Sequence, residues 1–388
     1  MPSSIPVVAE QALIYADTVR SPELRHEIPL LIGDPFLYAE RDGTRFVLTS
    51  VLERDKLEGL GNVEVHLWDE YGLDELIAEG RDRREIRNEV LLRACRAFGI
   101  DDAVVPFWFP VELADVLRAS DIDLRPDSDF FDDRRRRKNA AEIEGIRRAQ
   151  RAAEAGMGAA RDLLAAADAR NGTLVVDSEP LTSERIKLAI AQEFMNHDCV
   201  ADDFIVAHGP QGARGHDMGS GPIAPGEAVV IDLWPKDRES ACFADMTRTF
   251  VVGSPPDEIV EWQRLCKEAL DRTLEAIKPG VTGRSVFDIS CDIFEEHGYT
   301  TQRTKEAGQP LADGFFHSLG HGVGLEVHEE PGMGMISEKE LLAGDVVTIE
   351  PGLYRQGFGG VRLEDLVLVT EDGAENLTDF PYDLAPGG

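Results

Sequence analysis

The stretch AVVIDLWPKDRESACFADMTRTFVV, residues 228 to 252, places two carboxylates among apolar residues. Asp232 follows the apolar run 228–231, and Asp245 lies on the segment that would return as the next strand. Burying an unpaired carboxylate costs several kcal/mol or forces it to take up a proton. We therefore expect a strong cation to neutralise these two carboxylates.

A second part of the chain repeats this arrangement. AGDVVTIE (343–350) matches PGEAVVID (225–232), and in both segments the carboxylate comes six residues after a turn glycine. Glu350 is followed after 14 residues by Glu364, and Asp232 after 13 residues by Asp245, which predicts two hairpins. Four converging carboxylates cannot all ionise without cations, and two divalent metals with a preference for hard oxygen ligands, such as Mn²⁺, Mg²⁺ or Co²⁺, would neutralise them.

Histidines cluster between the two predicted hairpins, in FFHSLGHGVGLEVHEEPG (315–332). His317, His321 and His328 are separated by glycines that would break a continuous helix, so a loop could aim these imidazoles into one pocket and supply a nitrogen ligand. Four other histidines are interpreted as structural: His26, His66, His197 and His297.

The elements that must position these residues form an internal repeat. PLTSERIKLAIAQEFMNHD begins at Pro180 and GVTGRSVFDISCDIFEEHG begins at Gly280, and each reads as an amphipathic helix capped by Thr182 or Thr282. Each helix precedes one of the carboxylate hairpins. Two half-domains packed face to face would bring the carboxylates toward one axis.

The first third of the chain has a different pattern. Short apolar runs such as PFLYAE, TRFVLTS, VEVHLW and AVVPFWF alternate with amphipathic stretches such as REIRNEVLLRACRAFG, which predicts an α/β domain over residues 1–133. A second domain would span residues 134–388. The charge run RRRRK, residues 134 to 138, is interpreted as a solvated linker at this boundary.

Composition excludes several classes of partner. The net charge of −33 would repel nucleic acid and anionic lipid, and no apolar run approaches a membrane span. The N-terminal sequence lacks the pattern of a signal peptide, and five scattered cysteines without a CxxC spacing argue against disulfides or a zinc–thiolate site. We expect a soluble cytoplasmic protein with buried thiols. The 73 acidic residues and the excess of Arg over Lys suit either a salt-adapted host or a GC-rich genome.

Together these motifs resemble the pita-bread metallopeptidases, specifically the prolidase and aminopeptidase P branch. The resemblance extends over essentially the whole chain, including the RRRRKNAAEIEGIRRAQ junction. It implies an α+β protein, in which an α/β creatinase/prolidase-type N-terminal domain precedes a pita-bread catalytic domain with a pseudo-twofold repeat.

The resemblance also implies a set of metal ligands, each inside a local motif. Asp232 in IDL would hold one ion, and His321 in LGHGVGL and Glu350 in IEPG would hold the other. Asp245 in ADMTRTF and Glu364 in VRLED would bridge the two ions. The implied ions are two divalent metals, Mn²⁺ first, with Co²⁺ or Zn²⁺ as alternatives.

Further residues are implied on the substrate side. His328 in VHEEP corresponds to the histidine that contacts the scissile carbonyl, and His216 in AHGPQGARGH to a second substrate-contacting histidine. Arg362 lies beside the site, and His317 is a further candidate for substrate binding. Glu350 would move a proton from water to the proline nitrogen. The implied activity is hydrolysis of the Xaa-Pro bond of dipeptides or short peptides, by a homodimer.

Several alternatives stay open at this level. Cys242 stands where the family usually has a tyrosine, and the first hairpin is about two residues longer than usual. A metal-dependent lyase or another hydrolase acting on a small carboxylate substrate would suit the same fold. Creatinase and the non-catalytic histone-chaperone modules lack the full ligand set, and methionine aminopeptidase normally lacks the large N-terminal domain. The sequence does not separate a dipeptidase from an aminopeptidase.

Overall fold

The structure is a computed structural model that describes residues 10–387. The chain divides into two compact units between Arg135 and Arg136. No helix within residues 10–387 is long and apolar enough to cross a membrane.

The first unit is built on a mixed sheet. Its strands are β1 (Ala12–Ala16), β2 (Phe36–Arg41), β3 (Thr44–Thr49), β4 (Glu64–Leu67), β5 (Asp102–Val105) and β6 (Asp123–Pro126). They lie in the order β4-β3-β2-β1-β5-β6, with antiparallel pairing among β1, β2 and β3 and parallel pairing elsewhere. The apolar runs that predicted strands form β2 to β5, although only the start of AVVPFWF is extended.

Helices cover this sheet and enclose its apolar side chains. They are α1 (Pro22–Glu27), α2 (Arg54–Glu58), α3 (Leu73–Ala78), α4 (Arg83–Ala97), α5 (Val111–Arg118) and α6 (Ser128–Arg135). The stretch predicted to be amphipathic forms α4, whose first turn is closed by a capping box between Asp82 and Glu85. This segment therefore adopts the predicted α/β architecture.

The second unit contains the remaining elements. Its helices are α7 (Ala140–Ala165), α8 (Ser183–Asn196), α9 (Asp257–Ala276) and α10 (Gly283–Glu296). Its strands are β7 (Asp168–Arg170), β8 (Thr173–Val176), β9 (Glu179–Pro180), β10 (Cys199–Val200), β11 (Ile205–His208), β12 (Ala228–Leu233), β13 (Lys236–Asp237), β14 (Met246–Val251), β15 (Gly320–Gly322), β16 (Glu329–Met333), β17 (Val346–Ile349), β18 (Gly352–Arg355), β19 (Gly359–Arg362), β20 (Asp365–Val369) and β21 (Ala374–Asn376).

The internal repeat predicted from the sequence is present in this unit. Thr182 and Thr282 cap α8 and α10, and each hydroxyl accepts a hydrogen bond from the backbone N–H three residues later. The repeat also includes a long helix before each of these two, because α7 packs on α8 and α9 packs on α10. Each helix pair covers one sheet, β11-β12-β14 in the first half and β16-β15-β17-β20-β21 in the second.

The charge run RRRRK does not form a solvated linker, so that interpretation is wrong. Arg136 is only 4% exposed and donates hydrogen bonds to both carboxylate oxygens of Asp345, at 3.0 and 2.8 Å. Lys138 forms an ion pair with Glu329, and both side chains are buried. Buried charges of this kind require such partners, because an unpaired charge would lose its hydration without compensation.

The cysteines lie in the apolar cores, as expected. Each of them is buried and free in the described part of the chain, residues 10–387. Burial raises the pKa of the Cys242 thiol to about 12, which makes it a poor nucleophile.

Candidate metal centre

The first pair of carboxylates lies on the β12–β14 hairpin. Asp232 is on β12, directly opposite Thr247 of β14. Asp245 comes immediately before β14 begins at Met246. The carboxylate predicted to lie on the return strand is therefore at the entrance of that strand, and the hairpin carries both acids to one end of the sheet.

The second pair flanks β17 and β20, with an additional hairpin between these two strands. Glu350 directly follows β17, and Glu364 directly precedes β20, which pairs antiparallel with β17. The β18–β19 hairpin fills the connection. The predicted hairpin is thus present, with an inserted pair of strands.

The two halves of the repeat meet where Thr247 faces Glu364. The Glu364 N–H donates to the Thr247 carbonyl at 3.0 Å, and the Thr247 hydroxyl donates to Glu364 Oε2 at 2.7 Å. Thr247 is fully buried, so this contact fixes one carboxylate of the second half against a strand of the first. The sequence did not single out Thr247, since a threonine on a strand has no distinguishing pattern.

His321 completes a compact group with two of these acids. One oxygen each of Asp245 and Glu364 and one ring nitrogen of His321 lie within 4.8 Å of one another. The Nδ1 of His321 donates to the Gly322 carbonyl at 3.1 Å, because a carbonyl can only accept. The Nε2 lone pair therefore points toward Glu350 Oε1 at 3.5 Å and Asp245 Oδ2 at 3.8 Å.

These facing lone pairs are consistent with cations between them. Asp232 Oδ1 and Asp245 Oδ1 are buried and have no hydrogen-bond partner among the described residues. Burial, followed by the charges of Glu364, Asp232 and Glu350, raises the pKa of Asp245 well above its usual range. Hard divalent cations would satisfy such unpartnered carboxylate oxygens and remove this penalty, so the donor set fits them.

The remaining members of the set show the same electrostatic pattern. Burial raises the pKa of Glu350 to about 7, and burial with the charges of Glu350 and Asp232 also raises the pKa of Glu364. Burial lowers the pKa of His321 to about 4, so its imidazole is neutral and can act as a ligand.

Arg362 is buried beside these acids. Its guanidinium forms an ion pair with Asp232 and donates to the Thr247 hydroxyl at 3.2 Å and to the Tyr354 hydroxyl at 3.0 Å. A guanidinium stays protonated at any working pH, so it supplies a permanent positive charge. It also fixes the orientation of the Asp232 carboxylate.

Tyr354 contacts two of the predicted site residues, and the sequence analysis did not select it. Its hydroxyl accepts from Arg362 and donates to His317 Nε2 at 2.9 Å. The Nδ1 of His317 donates to the Ser318 carbonyl at 2.7 Å, which leaves Nε2 as the acceptor. Burial lowers the pKa of His317 to about 3, so this ring is neutral. Its position four residues after Glu350 was the only local feature of the sequence that could have indicated its closeness to the site.

The predicted site residues line one cavity of about 730 Å³. They are Asp232, Asp245, His321, Glu350, Glu364, His216, His317, His328 and Arg362. The rings of His321 and His328 are 4.2 Å apart, measured between centroids, and are nearly perpendicular. Apolar side chains complete the wall: Ile205, Met218, Trp234, Phe316 and Val327. The cavity therefore combines a carboxylate–histidine cluster with an apolar surface.

Comparison with known proteins gives a consistent picture. The model of metallopeptidase family M24 matches residues 144–371. A Xaa-Pro dipeptidase of Pyrococcus furiosus is 43% identical over 185 residues, which cover 47% of this chain and 49% of that protein. A Xaa-Pro dipeptidase of Pyrococcus horikoshii is 40% identical over the same length, with the same coverage. The chain thus aligns with about half the length of these curated relatives.

Similarity to solved structures extends over nearly the whole chain. A prolidase from Pyrococcus horikoshii OT3 is similar with a TM-score of 0.76 and 26% identity, covering 97% of this chain and 95% of that one. An X-Pro aminopeptidase from Thermotoga maritima shares the fold with a TM-score of 0.77 and 24% identity, covering 97% of both chains. These similarities confirm the pita-bread fold that the sequence predicted.

Proposed function

The chain belongs to metallopeptidase family M24, and from that premise we propose that it hydrolyses the Xaa-Pro bond at the N-terminus of dipeptides or short peptides. The observation that carries the proposal is the convergence of four carboxylates and His321 on one cavity, with two buried carboxylate oxygens that have no other partner within residues 10–387. The relatives named as Xaa-Pro dipeptidases support the same activity.

Two divalent metal ions are part of this proposal. Asp232 would hold one ion, His321 and Glu350 the other, and Asp245 and Glu364 would bridge them. When bound, such ions supply Lewis acidity and lower the pKa of water by many units, which gives hydrolysis a nucleophile at neutral pH. Four of the five proposed ligands would bind through carboxylate oxygen, which favours Mn²⁺, with Co²⁺ and Zn²⁺ as alternatives.

The protein's own groups would then manage proton transfer and charge. Glu350, whose carboxyl pKa near 7 in the metal-free site shows how strongly its surroundings perturb it, would take a proton from water and pass it to the proline nitrogen. His328 would donate a hydrogen bond from its ring to the developing oxyanion. Burial and the neighbouring His216 lower the pKa of His328, so the neutral ring would be the donor.

The remaining polar groups would orient the substrate. His216 and His317 line the cavity beside His328, and Arg362 holds Asp232 in place through its ion pair. The Tyr354 hydroxyl keeps the Nε2 of His317 occupied, which fixes the orientation of that ring. The apolar wall around Trp234 would accept the ring of proline or an apolar side chain of the preceding residue.

We extend the proposal to a homodimer located in the cytoplasm. Free buried thiols are typical of a reducing compartment, which fits a cytoplasmic protein. Light scattering on the purified protein tests the homodimer, and cell fractionation tests the location.

The experiment that tests the activity compares peptides on metal-loaded protein. The protein is stripped with a chelator, reloaded separately with Mn²⁺, Co²⁺ or Zn²⁺, and assayed by mass spectrometry with an Ala-Pro dipeptide, an Ala-Pro-Ala tripeptide and an Ala-Ala dipeptide. Release of the first residue from a proline peptide, with loss of activity in Asp245→Asn, supports the proposal. Hydrolysis of none of these peptides by any loaded form contradicts it. Cleavage of the dipeptide alone identifies a dipeptidase, and cleavage of the tripeptide identifies an aminopeptidase.

A further inference from the structure

His208, the last residue of β11, is held between two acceptors. It is 8% exposed, its Nδ1 lies 2.7 Å from Glu227 Oε2, and its Nε2 lies 3.1 Å from the Ser220 carbonyl. A carboxylate and a carbonyl can only accept hydrogen bonds, so both ring nitrogens must carry a proton. The geometry therefore requires an imidazolium at this position.

Ser220, whose carbonyl accepts the hydrogen bond from His208 Nε2, belongs to the loop that carries His216. This loop, residues 209–220, begins directly after His208, so the imidazolium ties its first residues to its last. The Gln211 side chain adds two bonds to Ser220, donating to its carbonyl at 2.9 Å and accepting from its N–H at 3.1 Å. Gly215, His216 and Met218 of the loop line the cavity.

The same loop packs closely onto β11. The Val206 N–H donates to the Met218 carbonyl at 3.1 Å. Gly219 has a φ of +77°, and a Cβ there would lie 1.8 Å from the Val206 carbonyl oxygen, so glycine is required for this approach. The loop is therefore seated on the strand that ends at His208, and a change at His208 would be transmitted to His216.

We propose that His208 is a positioning residue, whose charged ring clasps the 209–220 loop and thereby holds His216 in the cavity. The inference rests on the proposed function, because His216 is assigned there to the substrate. His208 is not one of the described residues that line the cavity, and its spacing in the sequence did not single it out, since its partner Glu227 is 19 residues away.

Charges around His208 favour the clasped state at neutral pH. Burial acts to lower the pKa of His208, but the hydrogen bond and charge of Glu227, together with the hydrogen bond to the Ser220 carbonyl, raise the pKa above that of an ordinary histidine. Glu184 on α8 acts in the same direction, and it also accepts the Gly221 N–H at 3.0 Å. As the pH rises through the His208 pKa, the ring loses one of its two donors and the clasp weakens.

Kinetics on five variants test this role. In His208→Gln, the amide nitrogen can donate at only one of the two ring-nitrogen positions, and the amide oxygen at the other position can only accept. We therefore expect kcat/KM to fall about tenfold at pH 7, as for loss of one hydrogen bond to a charged group. Glu227→Gln removes the carboxylate that keeps His208 protonated, so the alkaline limb of the pH profile should move to lower pH. In a His216→Ala background, His208→Gln should change kcat/KM less than twofold, because the loop then has no histidine to position. His197→Gln, on the exposed end of α8, is the matched control and should match wild type.

Two readouts do not depend on peptidase activity. Hydrogen exchange of residues 214–220 should be faster in His208→Gln than in wild type or in His197→Gln. In NMR titration, the His208 ring should titrate above an ordinary histidine in wild type and at lower pH in Glu227→Gln. These two measurements test whether His208 holds the 209–220 loop even when no Xaa-Pro peptide is cleaved. Absence of cleavage would then contradict the proposed function without affecting the role of His208.

Three results would overturn the inference. The first is a His208→Gln effect on kcat/KM that persists undiminished without His216. The second is unchanged exchange of the 214–220 segment in His208→Gln. The third is a His208 ring that titrates no higher than an ordinary histidine.

Discussion

Glu350→Gln should make the metal-free protein more stable while it abolishes metal-dependent activity. In the metal-free site, burial raises the pKa of Glu350 to about 7 from an ordinary value of 4.5, although the positive charge of Arg362 acts against this shift. The wild-type carboxylate therefore destabilises the folded state whenever the solution pH forces it to ionise. Glutamine has nearly the same shape and carries no charge, so it removes this cost.

The size and sign of the effect follow from the two pKa values. The pKa of Glu350 is higher in the folded state than in the unfolded state. Ionisation of Glu350 therefore costs no folding free energy well below pH 4.5, costs more as the pH rises from 4.5 to 7, and has a nearly constant cost above pH 7. The shift corresponds to about 3 kcal/mol at pH 8 and to less than about 1 kcal/mol at pH 5. The side chain is 15% exposed, so solvent screens it little, and about 3 kcal/mol is the upper bound.

Urea denaturation at pH 5, 6, 7 and 8 measures this difference, with chelator and again with excess Mn²⁺. With chelator, the Gln variant should exceed wild type in free energy of unfolding, by a margin that increases with pH. With Mn²⁺, wild type should gain the free energy of metal binding, and the variant should gain little of it. Glu371→Gln makes the same chemical change at an exposed turn and should alter neither quantity.

A Gln variant that is less stable than wild type in chelator at pH 8 would contradict this prediction. A stability difference that does not change between pH 5 and pH 8 would contradict it as well. Either result would mean that the carboxylate is not strained by its neighbours in the metal-free fold.

Three further predictions concern the site and the surface charge. His328→Ala should lose about 100- to 1,000-fold in kcat with its metal content unchanged, as for a single oxyanion donor, whereas His321→Ala should lose metal as well. Metal analysis and steady-state kinetics on both variants distinguish these outcomes. Loss of metal in His328→Ala would show that the roles of the two histidines are assigned wrongly. Asp245→Asn and Glu364→Gln should each abolish turnover, and near-normal turnover with two bound metals in either variant would contradict the bridging role. The thermal midpoint of unfolding should rise from low to moderate salt, because the 73 acidic residues outnumber the 40 basic residues and the excess negative charges repel one another. Counterions screen this repulsion within about 8 Å at 0.15 M salt. A flat or falling midpoint would exclude charge repulsion as a significant cost to stability.

Local sequence predicted the features that local physics controls. The caps Thr182 and Thr282 open helices because their hydroxyls satisfy a free N–H within three residues, so a short window contains the whole cause. The strand before Asp232 was visible because an apolar run ending in an acid is unusual in itself. The repeat of this pattern before Glu350 then indicated how the halves would pair.

Features that depend on distant partners could not be predicted in the same way. The run RRRRK looked solvated because the partner of Arg136, Asp345, is 209 residues away, and the partner of Lys138, Glu329, is 191 residues away. Thr247 and Tyr354 gained significance through hydrogen bonds with Glu364 and Arg362, which their own spacing did not indicate. His208 was missed for the same reason.

The residue types of the centre and the paired elements that carry them could therefore be predicted from local sequence, because helix caps, strand patterns and turn glycines act within a few residues. Three-dimensional packing sets which charges are buried, which ring nitrogens are free to accept, and which side chains hold the others in place. Burial and hydrogen bonding depend on every neighbour in space, and residues far apart in the chain supply most of these neighbours.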